Sequence, residues 1–212
     1  PGWTISDNSA LTAPGIDPAG SGWLRLNPLD IDQTGRALLT GANEYVPKGL
    51  PIYFEFEYVS WGGGVEHWSA DGLTAYLYDA SKDMGGALYG GSLSYCGGAG
   101  AYLAVGLDEW GNFSGPFSAA NGCSWSSSAG QQANLDTVVI RGPDTASLPE
   151  LAAARYSAGI DFATATSRPV PTKAQITLTP KSGGPGYTVT VVLERNGVAE
   201  TVHNAVDFPF AA

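Results

Sequence analysis

No apolar stretch of this 212-residue chain runs far before a glycine, proline, asparagine or aspartate cuts it short. Long helices are disfavoured on that ground alone, because glycine costs about 1 kcal/mol and proline about 3 kcal/mol in a helix interior relative to alanine. With 29 glycines and 14 prolines, such breaks recur along the whole sequence. The chain is not a disordered polymer, since 43% of its residues are hydrophobic and 11% aromatic, enough to build a core. The best helical window is Leu148 to Tyr156 (LPELAAARY), which predicts about two turns of helix.

Strands are written more plainly. Pro51 to Val59 (PIYFEFEYV) alternates, placing Tyr53, Glu55 and Glu57 on one face and Phe54, Phe56 and Tyr58 on the other. Further strands are predicted over 73–78, 102–108, 137–141, 174–179 and 187–193. The segment PKSGGPG turns the chain between the last two. Asn196-Gly197 predicts a type I′ hairpin, because both residues tolerate positive φ, with 199–202 as the return strand. Many short strands with turn signals between them predict an all-β sandwich of two antiparallel sheets. The polar stretches 130–134 and 164–171 lie between strands and read as loops, so 1–212 is one domain.

Charge excludes some partners. Ten basic residues stand against 20 acidic ones, for a net charge of −10. That leaves no basic footprint for nucleic acid. No run of about 20 apolar residues could span a bilayer as a helix. Cys96 (YCGGAG) and Cys123 (NGCSW) lack the CxxC spacing and the neighbouring histidines of a zinc site. A disulfide between them is expected, restricting the unfolded chain by roughly 3–4 kcal/mol. It would indicate a secreted, periplasmic or surface protein. The alternative is two buried thiols.

Three loops carry unusual chemistry. They are Ala70-Asp71-Gly72-Leu73, then Gly90-Gly91-Ser92-Leu93-Ser94-Tyr95, then Val105 to Ser114 (VGLDEWGNFS). Asp71 can accept two hydroxyl donors, Asn112 can both donate and accept, and the Gly91 N–H is screened by no side chain. Trp110 offers a broad apolar face. A sugar has hydroxyls at its edge and C–H patches on its face, and it matches that set. Singly, each feature is ordinary: Asp-Gly is a turn, Gly-Gly a bend, Trp110 a packing residue, and Asp108 and Asn112 loop caps. Their combination, in this order, carries the reading.

From Gly22 to Phe208 the chain resembles the L-type, legume-lectin-like lectins, with bacterial secreted or surface members as the nearer kin. The resemblance rests on SADGLTAYLYD at 69–79, GGSLSY at 90–95, LAVGLDEWGNFS at 103–114 and VDFPF at 206–210. It implies a concanavalin-like jelly roll of two large antiparallel sheets, with one sugar held by loops at the rim of the front sheet. It implies sugar contacts from Asp71, from Gly90 or Gly91, and from Asn112, stacking on Trp110, and a cis peptide between Ala70 and Asp71. It also implies two adjacent ions below the sugar. Their ligands would be Asp108, the Trp110 carbonyl and Asn112, with acidic residues at 106 and near 115 and a histidine beyond. Here 106 and 115 are glycines and no histidine lies between His67 and His203, so no transition metal is expected. Calcium wants six to eight oxygens, for which Asp108, Asn112 and one carbonyl are a thin set even if Glu109 or Asp136 joined them. An alternative cation is Arg141, which could form a salt bridge to Asp108 if strand 137–141 neighbours the Asp108 strand.

Glycans are therefore the expected partners. A structural adhesin or spacer module without sugar affinity is the alternative, and a glycoside hydrolase of the same sandwich class is another. A hydrolase needs two carboxyl groups about 5–9 Å apart across a cleft. Glu55 and Glu57 share a face, but an outward polar face explains them as well. No nucleophile triad is evident, and His67 could line the rim or make one local hydrogen bond. The resemblance also leads one to expect further strands after VDFPF at 206–210; a longer chain, a fold that closes differently, a second chain, a strand swapped from a neighbour or an N-terminal segment filling the gap would each account for their lack.

Overall fold

A computed structural model gives the fold. It describes every residue except 1, 14, 41–48, 63–69, 86–87, 89, 97–98, 115–116, 119–123, 126–133 and 212. The strands in chain order are β1 (Trp3–Asp7), β2 (Ala10–Leu11), β3 (Leu24–Arg25), β4 (Gly35–Leu39), β5 (Ile52–Tyr58), β6 (Gly72–Tyr78) and β7 (Ala101–Asp108). There follow β8 (Phe117–Ser118), β9 (Ser124–Trp125), β10 (Thr137–Arg141), β11 (Glu150–Arg155), β12 (Thr172–Pro180), β13 (Tyr187–Arg195) and β14 (Val198–Phe208). Among the described residues no helix is long and apolar enough to cross a membrane.

Two four-stranded antiparallel sheets carry the architecture, β11-β10-β7-β6 and β14-β13-β12-β5. They face each other across one core. Leu103, Val105 and Leu107 of β7 and Val138 and Ile140 of β10 meet Ala174, Ile176 and Leu178 of β12 and Val189, Val191 and Leu193 of β13. Each set takes alternate residues, because successive side chains of a strand point to opposite faces. The protein is thus an all-β sandwich. Among the described residues there are also three two-stranded ribbons, β1-β4, β2-β3 and β8-β9.

The first sheet is covered on its other face too. Ala104 and Val139 there pack with Leu93, Tyr95, Cys96, Phe113 and Leu148, which arrive from loops. This second cluster brings the 90–96 and 108–114 loops onto one sheet surface. The second sheet instead leaves its outer face open: Tyr53, Glu55 and Glu57 of β5 are all exposed.

The turn chemistry read from sequence holds at the β13–β14 hairpin. Asn196 and Gly197 have φ of 54° and 76°, and Arg195 pairs with Val198 across them. The helix predicted over Leu148 to Tyr156 is wrong. Glu150–Arg155 is strand β11, paired antiparallel with β10 from Thr137–Arg155 to Arg141–Glu150. Glu-Leu-Ala-Ala-Ala-Arg favours helix locally, but the β10 edge supplies hydrogen-bond partners that an isolated two-turn helix lacks.

His203 on β14 ties the sheets together, its buried Nε2–H donating to the Val138 carbonyl at 2.8 Å. Burial holds the imidazole below its ordinary pKa, with the carbonyl bond opposing. Because the folded pKa is depressed, the protonated imidazole is disfavoured in the folded state. Its stabilising contribution is complete above about pH 6.5 and is lost as pH falls toward the folded value. The thermal midpoint should therefore fall on acidification from about pH 7 to about pH 5, and His203→Gln should flatten that slope. Superimposable slopes for the two proteins in circular dichroism melts would show that His203 is not responsible.

Candidate functional site

Three loops meet at one end of β6 and β7. The peptide Ala70–Asp71 is cis. Gly72 follows with φ 138° and lies so close to β7 that an added Cβ would stand 2.1 Å from the Leu107 carbonyl oxygen. Only glycine allows that approach. The Asp71 carbonyl accepts the N–H of Glu109 at 3.0 Å and of Trp110 at 3.4 Å, which lashes the first loop to the third. Across the junction Asn112 Nδ2 donates to Asp71 Oδ1 at 2.6 Å.

The second loop closes over this pair. A Cβ at Gly91 would sit 2.5 Å from Asn112 Cγ, and one at Gly90 would come within 4.0 Å of Asp71 Oδ2. Sequence alone left the choice between these glycines open; both flank the site, Gly91 against the amide and Gly90 toward the carboxylate. Trp110, tied by its N–H to the Asp71 carbonyl, is half-buried. Asn112 is only 7% exposed, and its Oδ1 has no hydrogen-bond partner among the described residues. A buried acceptor of this kind is costly unless something satisfies it. Burial also raises the Asp71 pKa, opposed by the Asn112 N–H.

Asp108 lies beneath, fully buried. Its Oδ1 accepts the Gly111 N–H at 2.8 Å, and its Oδ2 accepts those of Phe113 at 2.8 Å and Ser114 at 3.2 Å. Burial pushes its pKa up to about 7, and these donors pull the other way. The carboxylate thereby shapes the turn that presents Asn112.

Arg141 joins β7's neighbour β10 opposite Ala104, while Asp108 pairs with Thr137. The two residues are thus four positions apart along the sheet, roughly 13 Å at strand rise. The loop folds back to span the gap. Arg141 Nε donates to the Phe113 carbonyl at 2.8 Å, and the Ser114 N–H of that same peptide donates to Asp108. Instead of the salt bridge anticipated between Arg141 and Asp108, a polarised peptide links the two charges. Arg141 also donates to the Leu148 carbonyl at 2.8 Å and lies 3.8 Å from Glu150.

Among the described residues, most side chains that could serve as ion ligands here are taken up by other contacts. The oxygens of Asp108 are engaged by loop N–H groups. At residue 106, where an acidic ligand would be needed, an added Cβ would lie 2.3 Å from the Phe113 ring, which fills that space. Asp136 is occupied elsewhere, accepting the Ile160 N–H at 2.8 Å and lying 3.5 Å from Arg155. Glu109 is buried, and burial with its acidic neighbours pushes its pKa up to about 8. Among the described residues no three His, Cys, Asp or Glu side chains gather as a metal group.

Phe113 is the site residue that sequence reading missed. Its signal was a large apolar side chain in a polar loop, paired with a lone glycine inside an aliphatic strand, which marks a close approach. Cys96 is 2% exposed within the second cluster. Cys123, His67 and Gly115 lie outside the described residues. Glu55 accepts hydrogen bonds from Tyr53 Oη at 2.7 Å and Gln175 Nε2 at 2.8 Å, and Glu57 pairs in register with Lys173. Both stand on the open outer face of the other sheet. No family model matches the chain, and no curated protein matches it in sequence.

Proposed function

We propose that this chain is a carbohydrate-binding module of the L-type lectin kind, built on a concanavalin-like jelly roll. One observation carries the reading: a hydrogen-bonded Asp71–Asn112 pair flanked by Gly90 and Gly91 at the meeting of three loops. The carboxylate of Asp71 accepts from sugar hydroxyls, the second Asn112 N–H and the Gly91 N–H donate, and the Trp110 ring receives a C–H face. The proposed activity is binding without hydrolysis, and the open setting of Glu55 and Glu57 supports that. One shallow monosaccharide site binds weakly, so display in several copies raises avidity. A Cys96–Cys123 disulfide and a secreted or cell-surface location belong to the same proposal.

The test is a glycan array probed with the wild type, Asp71→Ala and Asn112→Ala. The wild type should bind a defined set of glycans, and each variant should lose about ten-fold or more in affinity while melting as a folded protein. Binding that survives both substitutions would refute the site. Cleavage of an arrayed oligosaccharide would make the protein a hydrolase instead.

A further inference from the structure

The 108–114 loop presents Asn112, yet its own support is an anion, Asp108, in a fully buried position. A buried carboxylate needs compensation. Loop N–H groups supply part of it. Across the 113–114 peptide stands Arg141, itself only 1% exposed, which shares its charge with Glu150 at 3.8 Å. Its guanidinium meets the Phe113 carbonyl through both Nε and Nη2, a two-toothed grip that a lysine could not reproduce. Its carbon lies 5.2 Å from the Phe113 ring centroid, so the same ring is held at its face by a cation and pressed over Gly106 on the strand. Three points of the loop are thereby held: its anion at one end of a peptide, its aromatic ring against bare backbone, its carbonyl on the arginine.

We infer that Arg141 is the resident cation of this site. Through the 113–114 peptide it balances Asp108, and through the Phe113 ring it locks the loop onto β7, so that Asn112 is positioned toward Asp71 without a divalent ion. Arg141 acts as a positioning residue; it meets no ligand itself. The inference concerns the loop and stands whether or not a glycan is what Asp71 and Asn112 bind.

The experiment uses the full chain, stripped of metal, and reads ions and structure in place of sugar binding. Calorimetric titration with calcium alone and with manganese alone should give no saturable heat. The melting midpoint should move by less than about 1 °C between chelator and millimolar calcium. Arg141→Met should lower the midpoint by about 5 °C or more. Adding Asp108→Asn to it should cost less than the sum of the two single changes, because the charges compensate each other. In 15N spectra Arg141→Lys should shift the Asn112 side-chain amide, whereas Arg155→Lys, at an exposed position, should leave it in place. Saturable calcium binding that raises the midpoint by about 5 °C would overturn the inference, as would strict additivity of the two substitutions. Should Arg141→Met fail to fold, the wild-type ion titrations and the Arg141→Lys spectrum still decide it.

Discussion

Replacing Gly91 with alanine should weaken glycan binding by about a hundred-fold and leave the sandwich folded. The added methyl would stand 2.5 Å from Asn112 Cγ, 2.6 Å from its Nδ2 and 2.7 Å from its Oδ1. No real Cβ contact is that short, so one loop must yield. Asn112 is 7% exposed and sits on a turn pinned by three hydrogen bonds to Asp108, so it has little room to retreat. The glycine loop would lift instead, or the amide would rotate away from Asp71. Either movement removes two contacts together, the Gly91 N–H and the Asn112 amide, which is why the effect should exceed that of Asn112→Ala. The loop belongs to the outer cluster and not to the main core, so the melting midpoint should fall by only a few degrees, about 2–4 °C. Direct binding to the best array glycan, followed by calorimetry, measures the loss. An affinity within about three-fold of wild type would place the ligand elsewhere.

The two substitutions around this amide also show what a sequence can and cannot convey. The Asn196-Gly197 hairpin was legible because the constraint is local, a backbone too left-handed for most side chains, whereas Gly72 and Gly91 are crowded by Leu107 and Asn112 far along the chain and sequence left the choice between Gly90 and Gly91 open. The alternation over 51–59 was legible because a strand exposed on one face writes its period into the residues, and 137–141 was legible as a short β-branched run buried on both faces. By contrast, Glu150–Arg155 reads as helix, and only the free edge of β10 makes it a strand. The short strands β1 to β4 carry little apolar alternation, and Trp3 and Leu11 remain exposed in them, so they left no periodic trace. Arg141 could be placed on the correct strand face, since 139 and 141 alternate with 138 and 140. Its partner could not be read, because the answer depends on where the 108–114 loop folds back over Gly106. That contact spans the sequence and is set by tertiary packing.

A second buried arginine should dominate stability. Arg195 ends β13 and is 8% exposed. Its Nε donates to Thr172 Oγ1 at 2.7 Å, one terminal nitrogen donates to the Ala158 carbonyl at 2.6 Å, and the other donates to those of Gly159 at 2.8 Å and Ile160 at 3.3 Å. The guanidinium carbon stands 4.0 Å from the Phe162 ring centroid. The segment between β11 and β12 has no regular ladder of its own over 156–162 apart from one bridge, Trp61 with Phe162, so this single side chain satisfies much of its backbone. Arg195→Ala takes the guanidinium donors from the buried Thr172 hydroxyl and Ile160 carbonyl and from the part-buried carbonyls of Ala158 and Gly159. Each buried unpaired polar group costs about 1–3 kcal/mol, and partial hydration lowers the sum. The expected loss is about 3–5 kcal/mol in urea unfolding at neutral pH, large against the stability of a typical domain. Arg195→Lys should recover less than half, since one ammonium cannot reach all the acceptors that Nε and the two terminal nitrogens of a planar guanidinium meet at once. If the alanine variant unfolds at the same urea concentration as wild type, or if lysine restores it fully, the segment is held by other contacts and the guanidinium is incidental.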